Sequence, residues 1–175
     1  MWKIILIVLA LVLLALLAYA ATRPDSFRIE RSAVIKAAPE KIFPYINNLS
    51  NWQSWSPYEA KDPNMLRTLS GAEYGKGAAY AWQGNKNVGS GRMQIVESQV
   101  PSKVVLQLDF LQPFQAHNTA DFTLTPGPDG TRVVWAMSGP SPYVSKLMGL
   151  VFNIDKMVGS DFEVGLAKLK TLTEK

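Results

Sequence analysis

The chain of 175 residues contains no cysteine and a single histidine, His117. Disulfides, Cys–His nucleophilic pairs and clustered thiolate or multi-histidine metal sites are therefore excluded, and a Ser–His–Asp triad would have to use that one imidazole. No glycine-rich loop follows a strand and opens a helix; Gly84 to Gly91 lie between two strand patterns, which gives a nucleotide-phosphate site no support. Charge of either sign is scarce and scattered. There are 18 Lys plus Arg against 14 Asp plus Glu, and beyond Lys3 the excess falls from +4 to +3. That is too little for nucleic-acid binding, and it suits a domain working near anionic lipid. Neither a metal nor a cofactor is called for, and no internal repeat is present.

What the chain has in excess is apolar surface. From Ile4 to Ala21 run 18 residues without a charge, enough to cross the roughly 30 Å core of a bilayer with help from the flanks. One reading is a permanent anchor, with Trp2 and Tyr19 where interfacial aromatics sit. The other is a signal peptide cleaved near Ala20, after the small-x-small triplet Ala18-Tyr19-Ala20. Arg23, Arg28, Arg31 and Lys36 follow the span and lean towards a cytoplasmic domain, though Asp25 and Glu30 lie among them. We divide the chain into the apolar segment 1–21, a short connector 22–26 and one domain, 27–175, of ordinary size.

Within that domain Phe27, Ile29, Ala33 and Ile35 alternate with polar residues, as in a strand buried on one face. Pro39 fits the first position of a helix and Glu40 its positive end. Ile42, Phe43, Ile46 and Leu49 give that helix an apolar face, and Pro44 predicts a kink or an early stop. Trp52, Trp55 and Pro57 then form a polar corner. From Leu66 to Ser138 short alternating runs are separated by turn residues every 8 to 12 positions, predicting an antiparallel meander. Leu147, Val151, Ile154, Val158, Phe162, Leu166 and Leu169 then recur at helical spacing. Gly149, Gly159 and Gly165 interrupt this pattern; each costs a helix about 1 kcal/mol relative to alanine, so they signal close approaches or a break near Phe152 to Ile154.

Several stretches resemble the START-like (SRPBCC) superfamily in its polyketide cyclase/dehydrase branch. They are Ala38-Pro39-Glu40-Lys41-Ile42-Phe43, Asn47-Asn48-Leu49, Trp52-x-x-Trp55-Ser56-Pro57, Gly89-x-Gly91-Arg92-Met93, Phe122-Thr123-Leu124-Thr125, Gly130-Thr131-x-Val133-x-Trp135 and Lys156 to Leu166. The resemblance spans Phe27 to Glu174. It implies an α+β helix-grip fold, a seven-stranded antiparallel sheet curved around a long C-terminal helix, here preceded by a transmembrane helix. It also implies a cavity for lipids, sterols, quinones or polyketides, which some members use for cyclisation or dehydration.

Candidate ligand-binding residues are the large side chains Trp52, Trp55, Tyr80, Trp82, Met93, Phe110, Trp135, Met148, Met157 and Phe162, each of which is also a fitting core residue. Catalytic candidates are few: Tyr80, Asp109 and His117, the last expected to face solvent. The leading expectation is a membrane-tethered binding or carrier domain for a hydrophobic small molecule. A cyclase or dehydratase is the alternative, and a protein-interaction module with a vestigial pocket is the third. The stretch Pro142 to Ile154 has more apolar residues than one helix face needs, so it is expected either to pack on the sheet edge or to form a lid or membrane contact.

Overall fold

The structure, a computed structural model, describes residues 2–175. The N-terminal apolar run forms helix α1 (Trp2–Ala21), in which only Ala20 is buried. It is long and apolar enough to cross a membrane. A helix apolar on every face and buried by no protein is not a core helix.

The domain begins with β1 (Ser26–Ile35) and continues through α2 (Pro39–Asn47), a 3-10 turn (Leu49–Ser54) and α3 (Pro57–Lys61). The meander follows as β2 (Leu66–Gly71), β3 (Ala78–Gln83), β4 (Ser90–Gln99), β5 (Lys103–Gln112), β6 (Ala116–Gly127) and β7 (Gly130–Pro140). All seven strands form one antiparallel sheet in the order β1-β7-β6-β5-β4-β3-β2, which places β1 at one edge beside the last strand. The fold is thus the α+β helix grip that the resemblance implies, and its strands β2 to β7 form the antiparallel meander that the alternation predicts.

Local chemistry explains the elements. Pro39 opens α2 and Ile42, Phe43 and Ile46 bury its inner face, while Pro44 lies inside the helix, which runs on past it to Asn47 rather than stopping there. The side chain of Asn48 caps the following 3-10 turn by accepting from the Ser50 amide at 3.0 Å. Helix α3 has only five residues, too short to leave a helical period in the sequence.

The C-terminal pattern resolves into two helices, α4 (Tyr143–Val151) and α5 (Ile154–Thr173). The break falls at Phe152 and Asn153, where the Asn153 side chain accepts from the Lys156 amide at 2.9 Å and caps α5. Leu147 and Val151 therefore belong to α4, not to the long helix. Gly165 lets α5 approach the sheet, since a Cβ there would lie 2.7 Å from the Trp135 ring and 3.1 Å from Pro57. Gly159 does the same for Arg31, whereas Gly149 faces open space.

Candidate ligand-binding site

Strand pairing arranges the concave face in rows. Trp135 lies opposite Phe122, which lies opposite Val104; one row nearer the start of β1, Ile29, Met137, Ala120, Leu106 and Ile95 are aligned. Next come Asn118, Leu108, Met93 and Tyr80, with Phe27 opposite Gly139, and last Ala116, Phe110, Gly91 and Trp82. The first two rows are buried. In the last two, Phe27, Leu108, Phe110 and Trp82 are only half-buried. The face is sealed at one end and incompletely covered at the other.

The seal is aromatic. Trp135 stacks on Phe162 of α5 with ring centroids 4.1 Å apart and 12° between planes, and on Phe122 at 5.0 Å. Trp52 and Trp55 complete the cluster, 4.9 Å apart, with Trp55 edge-on to Trp135 at 5.5 Å. Both indoles are buried with their N–H groups satisfied: Trp52 Nε1 donates to the Ile46 carbonyl and Trp55 Nε1 to that of Tyr45, each at 2.9 Å. Four of the ten candidate residues, Trp52, Trp55, Trp135 and Phe162, thus fill the space between sheet and helix.

Tyr80, Trp82, Met93 and Phe110 come together on the other half of the concave face. Trp82 meets Phe110 edge-on at 5.7 Å, lies over Gly91 and donates from its indole to the Val88 carbonyl at 3.1 Å. Met148 and Met157 join neither group; they sit partly exposed on α4 and α5.

Near this end, the connector, α4 and the start of α5 enclose a cleft of about 490 Å3. Phe27 and Ile154 belong both to its wall and to the packed interior, joining cleft and concave face. A second cleft of about 640 Å3 lies at the opposite end, between the β1–α2 connection and the β6–β7 turn. No aromatic side chain lines it.

The catalytic candidates separate. Asp109 and His117 lie on the convex face, where His117 Nδ1 is 2.6 Å from Asp109 Oδ1 and Arg92 Nε donates to Asp109 Oδ2 at 2.8 Å. These partners, His117 first, hold the Asp109 carboxyl below its usual range. The His117 side chain is 75 % exposed. Tyr80 alone points inward. Its hydroxyl donates to Glu59 Oε1 at 2.9 Å, Glu59 in turn accepts from Arg67, and burial followed by the carboxylate contact pushes the phenol up.

A family described as polyketide cyclase/dehydrase and lipid transport matches residues 26–174. The chain belongs to this family. Solved structures share the fold at low identity. A protein from Chromobacterium violaceum, CV1439, is 13% identical with a TM-score of 0.59, covering 87% of this chain and 99% of its own. The Aha1 dimer from Colwellia psychrerythraea is 17% identical with a TM-score of 0.61, covering 85% and 96%. The di-domain ARO/CYC StfQ from the steffimycin biosynthetic pathway is 12% identical with a TM-score of 0.61, covering 85% of this chain and 51% of its own. No curated protein matches the sequence.

The cyclase/dehydrase-family domain contains polar groups that sequence reading passed over. Arg31 falls on the apolar parity of β1, where Nη2 reaches Asp155 at 2.9 Å and Nε reaches Glu163 at 2.9 Å, pinning the start of α5 to the sheet edge. The signal was present: Arg31 is the one charged residue on the apolar parity of β1. Asn118 is buried on the concave face among Ala116, Ala120 and Phe122, and its amide donates to the Met137 sulfur at 3.9 Å, a weak acceptor. Glu59 left no trace, because a single exposed-looking carboxylate on a one-turn helix has no pattern to read.

Proposed function

We propose that residues 27–175 form a binding or carrier domain for a hydrophobic small molecule, a lipid, isoprenoid or polyketide-like compound, and that α1 tethers it to a membrane. The observation behind this reading is the contrast between the two ends of the concave face. Trp52, Trp55, Trp135 and Phe162 close one end, while Phe27, Leu108, Phe110 and Trp82 at the other are half-buried, and Phe27 also lines the 490 Å3 cleft. The concave face at this end has the apolar walls and few polar groups that such a ligand needs, and the cleft beside it adds the charged Arg23, Lys146 and Asp155. Asn118 supplies one such polar group for a ligand with a polar end. The tether is supported by the exposure of apolar side chains all round α1 and by its seating against the domain, where Leu17 accepts a hydrogen bond from the Tyr143 hydroxyl at 2.9 Å.

Mass spectrometry of the organic extract of the purified domain, residues 22–175, tests the binding role. A retained or exchangeable apolar compound is expected, and an interior that holds and takes up none would overturn the proposal.

A second reading, a cyclase-like or dehydratase-like enzyme, is favoured by one observation: Tyr80, buried on the concave face, is coupled to Glu59 and Arg67 as a proton relay would be. That reading requires Tyr80→Phe to lower turnover by about 10² or more while binding persists. The carrier reading requires binding and folding to survive the change with no turnover to lose.

A further inference from the structure

Helix α4 is built inside out. Its one charged residue, Lys146, is turned inward, 9 % exposed, with its ammonium on Asp25 of the connector. Its outward positions are apolar: Val144 is 66 % exposed, Val151 78 %, and Phe152, just past the helix end, 56 %. Met148 on α4 and Met157 on the first turn of α5 are exposed as well, and α4 contains no acidic residue. A helix bordering water carries its charge outside and its valines inside. The reverse order fits an apolar medium.

The position of α4 identifies that medium. Helices α1 and α4 pack together, and the Tyr143 hydroxyl donates to the Leu17 carbonyl at 2.9 Å. The 20 residues of α1 make a rod about 30 Å long, the thickness of the hydrocarbon core. With α1 across the bilayer, Ala21 stands at its boundary, and Leu17, four residues earlier, lies about 6 Å inside. Tyr143 is thereby held at the depth where membrane tyrosines gather. Val144 is the next residue, and Val151 and Phe152 lie about two turns further along α4.

We infer that α4 and the Phe152 turn are embedded in the surface of the same lipid bilayer that α1 crosses, as an interfacial helix that fixes the orientation of the domain. This rests on reading α1 as an anchor. It has a consequence for the cleft, whose wall includes Gly149, Leu150, Val151 and Phe152. The cleft then opens at the boundary between headgroups and acyl chains, and an apolar ligand passes between bilayer and domain without crossing water.

The absence of cysteine makes any introduced thiol unique. The full chain, reconstituted in phosphatidylcholine–phosphatidylglycerol vesicles, is labelled with an environment-sensitive fluorophore at Val151→Cys or Phe152→Cys. Leu9→Cys, in the middle of α1, and Leu69→Cys, exposed on β2, serve as references. Nitroxide lipids labelled near the headgroup are expected to quench the Val151 and Phe152 positions at least about twofold more than Leu69, as shallow burial of an apolar face requires. Quenching equal to that at Leu69, with Leu9 quenched by deep nitroxides, overturns the inference and leaves the anchor standing. An unquenched Leu9 removes the anchor and the inference together. Shielding from both lipid nitroxide and aqueous iodide, with self-quenching that grows with protein density, assigns the face to a second copy and also overturns it.

Discussion

Trp135, in the middle of β7, and Phe162, in the middle of α5, lie parallel with 4.1 Å between ring centroids. The stack joins the sheet to its long helix beside Gly165, where a Cβ would lie 2.7 Å from the Trp135 ring. It divides the interior into a packed half and a half that is only partly covered, and the two halves should respond differently to mutation.

Truncation on the packed side should cost stability alone. Phe162→Ala and Trp55→Ala each remove a large buried aromatic and should destabilise the domain by about 3–5 kcal/mol in urea unfolding. Phe110→Ala removes a half-buried ring and should cost about 1–2 kcal/mol, while its larger effect appears as faster loss of bound apolar ligand. Equal unfolding costs at Phe162 and Phe110 would erase the distinction between plug and seat.

The same substitution should have opposite signs at two glycines. At Gly149 an added methyl meets open space, so Gly149→Ala should stabilise α4 by about 0.5–1 kcal/mol through helix propensity. At Gly165 it meets the Trp135 ring and Pro57, neither of which can move freely, and Gly165→Ala should destabilise by about 1–3 kcal/mol despite the better propensity. Thermal melts of the two variants against the parent check both.

Much of the fold was legible in the sequence. Alternation located the strands, turn residues separated them, Pro39 marked where a helix begins, and Gly159 and Gly165 marked close approaches of the last one. The candidate site was legible only as a composition. Sequence spacing could not tell Trp135, stacked and sealed, from Trp82, on the same concave face four strands away. That difference is set by which part of the face α5 covers, a matter of register and crossing rather than of periodicity. Met148 and Met157 illustrate the converse: they were candidates as large apolar side chains, and both are exposed on α4 and α5. Arg31 was readable as an anomaly in β1, but its partners Asp155 and Glu163 lie more than a hundred residues away.

Acid should release the helix contacts only at low pH. Asp155 is held below the usual carboxylate range by Arg31, and Asp25 likewise by Lys146. A carboxyl depressed in the folded state contributes fully above its unfolded value, about 4, and loses that contribution as pH falls through the lower folded value. Stability attributable to these pairs should therefore be flat from pH 7 to about 4 and decline below it. Asp155→Asn should remove part of the decline. Tryptophan fluorescence followed through an acid titration reads the transition, and a loss beginning near pH 6 would contradict the assignment.

The sharpest test of the half-covered end is to fill it. Leu108 lies in register between Met93 and Asn118 on the concave face and is only half-buried. If the space above it is a ligand seat, Leu108→Trp places an indole where the ligand would lie. Apolar compounds are then no longer retained, while the melting temperature holds or rises, because the new side chain gains burial without displacing protein atoms. If the protein already fills that space, the larger residue overpacks it and should cost about 1–3 kcal/mol. Measuring ligand retention and unfolding on the same variant separates the two cases. Loss of ligand with an undiminished melt is the expected result, since Leu108 and its strand neighbour Phe110 are both half-buried and the aromatic plug lies two rows away.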